Sequence, residues 1–404
     1  MNINKEVVII GGGMVGLSIA YQLIERNISR KIILIEKEKN VGMHSSGRNS
    51  GVIHAGLYYK PNSLRAKVCV EGGLRLKKWI QQNKLEINNC GKVIVPTNKE
   101  LDSQLDILYE RGKKNGADVY FLDNKKLTEL VPDTYSITNR ALWSPNTSVV
   151  NPKEIIDTLK NELVKKGLEI YTYQKNWEIN PKENILTLTD GTKVLYEYLY
   201  NAAGLWADKI AQKFNLGKEY ILIPFKGNYW DVKLSSKIKI KTNLYPVPDL
   251  NLPFLGVHFS PNSTNTQVTI GPTATLAYGR ENYNNFDSFQ IEDSIKNISL
   301  LINQYIKNKC RFRQYVHNQA FLSFQPFLLS EARKLVPNLS SDDIKISKKI
   351  GIRPQLFNKY ENKIEDDFLY LNTKNSTHIL NAISPAFTSS FALGDLIIDN
   401  SNIE

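Results

Sequence analysis

The stretch Val7-Val8-Ile9-Ile10-Gly11-Gly12-Gly13-Met14-Val15-Gly16 decides the fold of this 404-residue chain. It leads from an apolar strand pattern at 6–10 into a helical pattern that continues to about Arg26, and a second strand pattern follows at 32–36. A strand, a G-x-G-x-x-G turn and a helix in this order form the βαβ unit that binds the pyrophosphate of a dinucleotide. The N-terminal part is therefore predicted to be a doubly wound, Rossmann-like α/β domain.

The residues of this unit have separate predicted roles in holding a dinucleotide. Gly11 permits the tight turn, Gly13 lets the backbone approach the pyrophosphate, and Gly16 lets the helix pack closely on the strand. The first helical N–H groups, at Met14 and Val15, would point at phosphate oxygens. The end of the second strand adds an acid that would accept hydrogen bonds from a ribose diol, and the lysine after it: Glu36 and Lys37.

The loop after the second strand separates the two common dinucleotides, NAD and FAD. Residues 42–56 read G-M-H-S-S-G-R-N-S-G-V-I-H-A-G, which is rich in small residues, hydroxyls and backbone donors. Such a loop suits a cofactor that continues past its pyrophosphate into the body of the protein. We therefore predict bound FAD, with contacts from five loop residues: Ser45, Ser46, Asn49, Ser50 and Gly51.

The remaining chain divides by the character of its patterns. Residues 81–148 and 221–345 alternate strand patterns with aromatics and prolines, and they contain no second phosphate loop. We predict that they form a second, α+β domain on a mixed or antiparallel sheet, inserted into the first domain in two pieces. The FAD-binding domain would then consist of three segments: 1–80, 149–220 and 346–404.

Composition limits the compartment and the partners. The three cysteines, Cys69, Cys90 and Cys310, are far apart and include no C-x-x-C pair, so we predict neither a disulfide nor a metal site, and a reducing, cytoplasmic setting. No window approaches the roughly 20 consecutive apolar residues that cross a bilayer. The net charge of +12 comes mostly from scattered lysines, so we expect no nucleic acid partner. Attraction to the anionic inner face of a membrane is the alternative to an ordinary solvated surface.

Seven phrases cover nearly the whole chain in order: S-S-G-R-N-S-G-V-I-H-A-G-L-Y-Y (45–59), N-C-G-K (89–92), Y-P-V-P-D (245–249), L-P-F-L-G-V-H (252–258), G-I-R-P-Q (351–355), D-D-F (366–368) and S-P-A (384–386). They resemble phrases of L-2-hydroxyglutarate oxidases and dehydrogenases, which belong to the D-amino-acid-oxidase-like FAD-dependent oxidoreductases. The resemblance implies a two-domain flavoprotein, with non-covalent FAD along the doubly wound sheet and its ring facing the sheet of the substrate domain. The cofactor positions added in this way are Ala203, Gly204, Gly351, Arg353, Ser384, Pro385 and Ala386.

A C-terminal helix is predicted to begin near Ser384-Pro385 and to aim its positive end beyond the last strand. In this family the flavin ring is expected there, and it gains negative charge on reduction. Three residues depart from the family pattern: Lys226 stands where arginine is usual, Ile383 where proline is usual, and Phe387 where a small residue is usual. Phe387 would either narrow the pocket or pack beneath the helix.

The resemblance implies oxidation of L-2-hydroxyglutarate, or a similar small 2-hydroxy acid, to the 2-oxo acid by hydride transfer from C2 to flavin N5. The reaction needs a cation for the carboxylate, which Arg353 would supply, and a base for the hydroxyl proton, which is either His54 or His258. A dicarboxylic substrate needs a second cation, for which Lys226 and Arg280 are candidates. Further hydrogen bonds to the substrate are expected from three residues: Tyr58, Tyr245 and Gln355.

Other functions use the same fold. A related oxidase could act on an amino acid or on glycerol-3-phosphate with a different set of cations. A basic flavoprotein that modifies RNA, and a nucleotide-binding protein without turnover, have no motif in their favour. The electron acceptor, oxygen or a membrane quinone, leaves no local signature in the sequence.

Overall fold

The structure is a computed structural model that describes the following residues: 2–29, 31–248, 256–284, 291–308 and 312–403. Three sequence expectations lie outside the described residues: Cys310, and the parts of two family phrases at Asp249 and at 252–255.

In chain order the strands of the described part are β1 (Asn2–Ile10), β2 (Ile32–Ile35), β3 (Val52–Ile53), β4 (Ile87–Asn88), β5 (Lys92–Val95), β6 (Tyr120–Leu122), β7 (Ala141–Ser144), β8 (Ser148–Val150), β9 (Glu169–Tyr171), β10 (Glu178–Asn180), β11 (Ile185–Thr187), β12 (Lys193–Asn201), β13 (Tyr220–Val232), β14 (Asn243–Pro246), β15 (His258–Pro261), β16 (Val268–Gly271), β17 (Thr275–Leu276), β18 (Ile344–Asn358), β19 (Lys363–Ile364), β20 (Leu369–Asn372) and β21 (Ser376–Asn381). The α-helices are α1 (Met14–Glu25), α2 (Leu64–Gln82), α3 (Gln104–Lys114), α4 (Asn124–Leu130), α5 (Pro152–Lys165), α6 (Ala207–Lys213), α7 (Ile291–Lys307), α8 (Phe312–Phe321), α9 (Gln325–Arg333) and α10 (Ala386–Asp399).

The first sheet contains the predicted βαβ unit. Its parallel core has the order β9-β2-β1-β12-β21, and the antiparallel strands β10, β11 and β20 extend it. The run Val7–Ile10 is apolar throughout because both faces of β1 are buried, as is usual for a parallel sheet. Val7 and Ile9 pack with α1, α5 and α10, whereas Val8 and Ile10 pack with β11 and α6. These contacts confirm the predicted Rossmann-like α/β domain.

The second sheet is mixed, with the order β19-β18-β13-β16-β15-β14-β5-β7-β6, and β17 pairs with β13 at one side. Among the described strands of this sheet, β5 and β14 form the one parallel pair. Alternate residues of β5 point to opposite faces, so Ile94 packs with α3 while Val93 and Val95 pack with α4 and α9. Helices thus cover both faces of β5, in agreement with the predicted α+β class.

The strand β18 corrects one predicted domain boundary. It pairs with β13 from Tyr220 opposite Asn358 to Val232 opposite Ile344, and β19 continues the same sheet. The prediction that places 346–404 in the FAD-binding domain is therefore wrong for 346–364. The family phrase at 351–355 predicted cofactor contact, and these residues do line the cavity, which β18 reaches from the second sheet.

The C-terminal helix confirms another prediction, because α10 begins at Ala386, directly after Ser384 and Pro385. It packs against both α1 and α2 over the buried face of the first sheet. Within the described ranges, no helix is long and apolar enough to cross a membrane.

Candidate active site

A cavity of about 1990 Å³ lies between the two sheets. The residues that follow four parallel strands, β2, β1, β12 and β21, all line it, so the cavity lies at the carboxyl edge where α/β sheets bind ligands. The cavity of a single small ligand is commonly about 300–1,000 Å³. This one therefore has room for a dinucleotide as well as a small substrate.

The nucleotide end of the cavity is built around the start of α1. Gly11 has a φ of +108°, and a Cβ there would lie 2.5 Å from the Ala202 carbonyl oxygen, so only glycine fits this turn. The Met14 N–H donates to Ser46 Oγ at 2.9 Å, and the Gly12 N–H donates to Glu36 Oε2 at 2.9 Å. The start of α1 and Glu36, the acid predicted to bind a ribose, therefore lie at the same end of the cavity.

Gly16 and Gly51, both predicted to contact the cofactor, do not line the cavity. Gly16 has the packing role that its motif position predicts, because a Cβ there would lie 2.1 Å from the Gly11 carbonyl oxygen. Gly51 shapes the loop instead: its N–H donates to Asn49 Oδ1, and its carbonyl accepts the Val150 N–H. Direct contact with the cofactor is a correction for both residues.

The loop at 42–51 presents polar groups to the cavity. The Asn49 side-chain amide donates to the Ser46 carbonyl at 2.5 Å and so stabilises the conformation of the loop. Ser45 Oγ donates to the Ile352 carbonyl at 2.8 Å and so connects the loop to β18. Four predicted loop residues line the cavity: Ser45, Ser46, Asn49 and Ser50.

Lys37 lies at the centre of a charged cluster on the wall of the cavity. Its ammonium group contacts Glu38 at 2.6 Å, Glu281 at 2.5 Å and His44 Nε2 at 2.8 Å. His44 Nδ1 also contacts the Tyr283 hydroxyl at 2.8 Å. The two carboxylates and the imidazole could together ligate a metal, but Lys37 already supplies their cation.

The cavity fits FAD. A helix start for the pyrophosphate, an acid for the ribose and the start of α10 all line it. The predicted cofactor residues that line it are Gly11, Gly13, Met14, Val15, Glu36, Lys37, Ser45, Ser46, Asn49, Ser50, Ala203, Gly204, Gly351, Arg353, Ser384, Pro385 and Ala386.

His258 lies at the other end of the cavity, stacked on the Tyr245 ring with centroids 3.9 Å apart. Its Nδ1 lies 2.8 Å from the Gly256 carbonyl, which can only accept, so Nδ1 carries the ring proton. Nε2 then keeps its lone pair and has no hydrogen-bond partner in the described part of the chain. Burial, with the charges of Lys92 and Arg353, lowers the pKa of His258 to about 3.

His54 lies against a buried lysine that sequence reasoning missed. Lys92 Nζ is 3.4 Å from His54 Nδ1 and lies 4.3 Å from the Tyr245 ring centroid and 4.9 Å from that of Tyr58. Burial lowers the pKa of Lys92 to about 7, and within the described residues no carboxylate pairs with it. Burial and then the Lys92 charge hold the pKa of His54 well below its usual value.

A signal for Lys92 was present in the sequence. It ends the family phrase N-C-G-K and begins the strand Lys92-Val93-Ile94-Val95, whose other members are apolar. A charged residue in a fully buried strand is rare without a paired partner, and such residues cluster at functional sites.

Three other predicted residues line the substrate end: Arg353, Tyr58 and Gln355. The Arg353 charge reaches Tyr229 and Tyr245, where burial raises the pKa of each hydroxyl and the guanidinium opposes that rise. The Tyr58 hydroxyl is buried and has no hydrogen-bond partner within the described residues. A polar ligand in the cavity would satisfy it.

Arg280 does not belong to this site. Its guanidinium forms a bidentate pair with Asp208, at 2.6 and 2.9 Å, and donates to the Leu205 carbonyl. Asp208 also accepts the Leu222 N–H at 3.0 Å, so the pair fixes α6 to β13. The prediction that Arg280 holds a substrate carboxylate is wrong, because its guanidinium group is already bound to the buried carboxylate of Asp208.

Lys226 is also misassigned. Its neighbour Gly227 and Tyr229, on one face of β13, line the cavity, whereas Lys226 on the alternate face does not. Three arginines that the sequence did not single out line the cavity. Arg65 donates to the Ser384 carbonyl, Arg111 donates to the Tyr58 carbonyl, and Arg48 donates to the Met43 carbonyl.

The two residues that depart from the family pattern near the expected flavin lie in similar surroundings. Ile383 and Phe387 both line the cavity, and both pack against the main core of the first sheet. Phe387 therefore combines the two roles considered for it, because one part of its ring faces the cavity and another rests on the core.

The parallel sheet with its dinucleotide-binding turn and the mixed sheet enclose one cavity. An arginine and two neutral histidines line the substrate end of this cavity. Such an arrangement is that of a flavin-dependent oxidoreductase. The chain belongs to the DAO family, described as FAD dependent oxidoreductase, whose model matches residues 6–400.

Relatives of known name are similar to this chain over nearly its whole length. L-2-hydroxyglutarate dehydrogenase of Caenorhabditis briggsae, a mitochondrial protein, is 34% identical over 97% of this chain and 92% of its own. The enzyme of the same name from Indibacter alkaliphilus is 34% identical over 98% of both chains. Among solved structures, FAD-bound L-alpha-glycerophosphate oxidase of Mycoplasma pneumoniae shares the fold, with a TM-score of 0.73 at 21% identity over 98% of this chain and 94% of its own.

Proposed function

We propose that this protein oxidises L-2-hydroxyglutarate to 2-oxoglutarate. The observation that carries the proposal is that Arg353 and His258 line the same cavity, near enough for the Arg353 charge to lower the pKa of His258, whose Nε2 has no hydrogen-bond partner among the described residues. Relatives of that name, similar over nearly the whole chain, support the same substrate. Bound FAD supplies the two-electron acceptor for this reaction.

His258 is the base in this proposal. The sequence left His54 and His258 as equal candidates, and the hydrogen bonds of the two rings separate them. The protonated form of Lys92, which prevails below about pH 7, can only donate, so it places the ring proton of His54 on Nε2, and His54 then donates to the substrate. His258 keeps its Nε2 lone pair and takes the hydroxyl proton. The negative charges of the bound substrate raise the pKa of His258 and make it a better base.

Arg353 holds the carboxylate next to C2, and its planar fork fixes orientation as well as charge. Arg65 and Arg111 replace Arg280 and Lys226 as candidates for the distal carboxylate, because both line the cavity close to Tyr58 and Tyr59. The Tyr58 hydroxyl, which has no partner within the described residues, donates to the substrate.

The compartment and the acceptor are part of the same proposal. We place the protein in the cytoplasm, with peripheral contact to the inner face of the membrane, on the grounds of its cysteine pattern and its charge of +12. The electrons pass to oxygen or to a membrane quinone. Oxygen uptake during turnover, compared with reduction of a quinone under argon, distinguishes the two acceptors.

Steady-state turnover with a water-soluble dye as acceptor tests the substrate. We expect L-2-hydroxyglutarate to give the highest kcat/KM and one 2-oxoglutarate per two electrons. L-Lactate and 2-hydroxybutyrate should be poor substrates, because neither has a distal carboxylate for Arg65 or Arg111 to bind. A higher kcat/KM for glycerol-3-phosphate or an amino acid would replace this substrate with that one, and an absence of turnover with every acid would favour a non-catalytic flavoprotein.

A further inference from the structure

The helix α7 has its polar side buried and its apolar side exposed. Four isoleucines are between 52% and 64% exposed: Ile291, Ile295, Ile302 and Ile306. Three polar residues of the same helix are buried: Ser294, Asn297 and Gln304. A surface helix of a globular protein normally does the reverse, with its apolar stripe towards the core.

Hydrogen bonds hold α7 in this orientation. Ser294 Oγ donates to the Tyr278 carbonyl at 2.7 Å, and the Gln304 amide donates to the Asn362 carbonyl. Leu300, Leu301 and Tyr305 also pack against β13 and β18. Rotation of the helix to bury the isoleucines would break these contacts, so the exposed apolar side is a fixed feature of the fold.

The isoleucines form one continuous stripe. Their spacing of four, seven and four residues keeps them on one face of a helix with 3.6 residues per turn. At about 1.5 Å per residue the stripe is roughly 22 Å long. A second exposed apolar group, Phe321, Phe324 and Phe327, lies where α8 ends and α9 begins.

The charge of the segment around this stripe indicates which kind of partner the stripe binds. From Ile291 to Ser330, which includes the whole stripe, the sequence contains three lysines, two arginines, one glutamate and one aspartate, so five basic residues outnumber two acidic ones. Arg313 is exposed and donates to the Tyr305 and Ile306 carbonyls, which places a cation beside the last isoleucine of the stripe. Two copies of this face would repel each other, whereas an anionic lipid surface would attract it.

We propose that the α7 face, formed by Ile291, Ile295, Ile302 and Ile306, docks the protein on an anionic lipid bilayer. The isoleucines enter the boundary between headgroups and acyl chains, and the basic residues contact the headgroups. Docking itself does not depend on the substrate. Its consequence for the acceptor does rest on the proposed function: Ile291 and Gln304 also line the cavity, so a docked molecule has α7, a wall of its active site, next to lipid where a quinone dissolves.

Flotation of the flavin-loaded protein with vesicles tests the proposal without any substrate. We expect binding to vesicles of phosphatidylglycerol and phosphatidylcholine at low salt, and little binding to phosphatidylcholine alone. The double variant Ile295→Ser/Ile302→Ser should bind at least about tenfold more weakly, because it removes apolar groups from the membrane boundary. Leu74→Ser is the matched control, since Leu74 is an apolar residue of α2 that is 61% exposed.

The outcomes separate lipid from other partners. Wild-type protein that stays with the soluble fraction, or a double variant that floats as well as Leu74→Ser, would overturn the proposal. A concentration-dependent dimer that the double variant abolishes, without lipid binding by the wild type, would assign the face to a second copy instead. Turnover with a water-soluble dye should be the same in the double variant and the wild type, which shows that the active site is intact.

Discussion

Burial keeps both histidines at the substrate end neutral, and the Lys92 charge adds to this effect. The two causes together lower the pKa of His54 and of His258. Tyr58 and Tyr245 also face the ammonium group, but burial raises the pKa of both hydroxyls, so they stay protonated and neutral. The pair Lys92–His54 therefore donates towards the substrate while His258 accepts.

Lys92→Met tests this account through the pH dependence of kcat/KM. Without the positive charge the histidine pKa values rise, and a protonated His258 cannot take the hydroxyl proton. We expect the acid limb of the profile to move to higher pH, by a limited amount because burial, the larger cause of the low histidine pKa values, remains in the variant. Lys60→Met is the control, because Lys60 also lines the cavity but its side chain is 71% exposed. An unshifted acid limb in Lys92→Met would remove Lys92 from this role.

Arg353→Lys tests the carboxylate contact. The substitution keeps the charge and loses the planar fork, and a charge-assisted hydrogen bond contributes about 1.5–3 kcal/mol. We expect kcat/KM to fall at least about tenfold while the ratio of flavin to protein absorbance stays that of the wild type. Wild-type kinetics in this variant would mean that another cation holds the substrate.

Sequence reasoning at this scale succeeded for local features and failed for distant pairs. The turn at Gly11 and the position of Glu36 follow from one βαβ unit, so their placement at the cavity could be predicted. The pairing of Arg280 with Asp208 joins residues 72 positions apart, and no local pattern reveals it. Arg280 therefore looked like a cation available to a ligand, while Lys92, in an apolar strand, was overlooked.

At the scale of elements, α2 packs closely on α10 in the core of the first sheet. Gly72 makes this contact possible, because a Cβ there would lie 2.6 Å from Ser389 Cα and 2.8 Å from its carbonyl oxygen. Both atoms belong to the backbone of α10, so neither can move as a flexible side chain could. The helices approach this closely only with glycine at position 72.

Gly72→Ala should therefore destabilise the protein by about 1–3 kcal/mol, although alanine favours a helix over glycine by about 1 kcal/mol. Gly73→Ala is the neighbouring control, because its Cβ would lie 3.3 Å from the Thr388 side chain and meets no atom below 3 Å. Urea denaturation followed by circular dichroism measures both. Equal stability of the two variants would contradict the close approach of α2 and α10.

Helices and strands could be predicted where the apolar residues of the sequence follow a single clear pattern. The apolar run at 7–10 and the helix after it are clear because β1 is buried on both faces and α1 follows a phosphate turn. The strand β18 was assigned to the wrong domain from residue 346, since its pairing with β13 depends on residues more than a hundred positions away. In α7 the isoleucines lie on the exposed side, and only the structure shows which face of the helix packs.

At the scale of the whole molecule, two sheets of different type share one cavity, and the chain crosses between them several times. The nucleotide end belongs to a local motif, whereas the substrate end collects His54, Lys92, His258 and Arg353 from four separate parts of the sequence. The dinucleotide-binding fold could therefore be predicted from the N-terminal unit, and the family from phrases spread along the chain. The separate roles of the two histidines, donor for His54 and acceptor for His258, could be assigned only from the three-dimensional arrangement of the site.

The central claim is that this assembled site takes a hydride from L-2-hydroxyglutarate. Anaerobic stopped-flow mixing of the flavin-loaded protein with single acids, followed by flavin absorbance, tests it most directly because no acceptor takes part. The account predicts the fastest bleaching by L-2-hydroxyglutarate, and slow or absent bleaching by its enantiomer, L-lactate, glycerol-3-phosphate and amino acids. Faster bleaching by any of these compounds would contradict the claim.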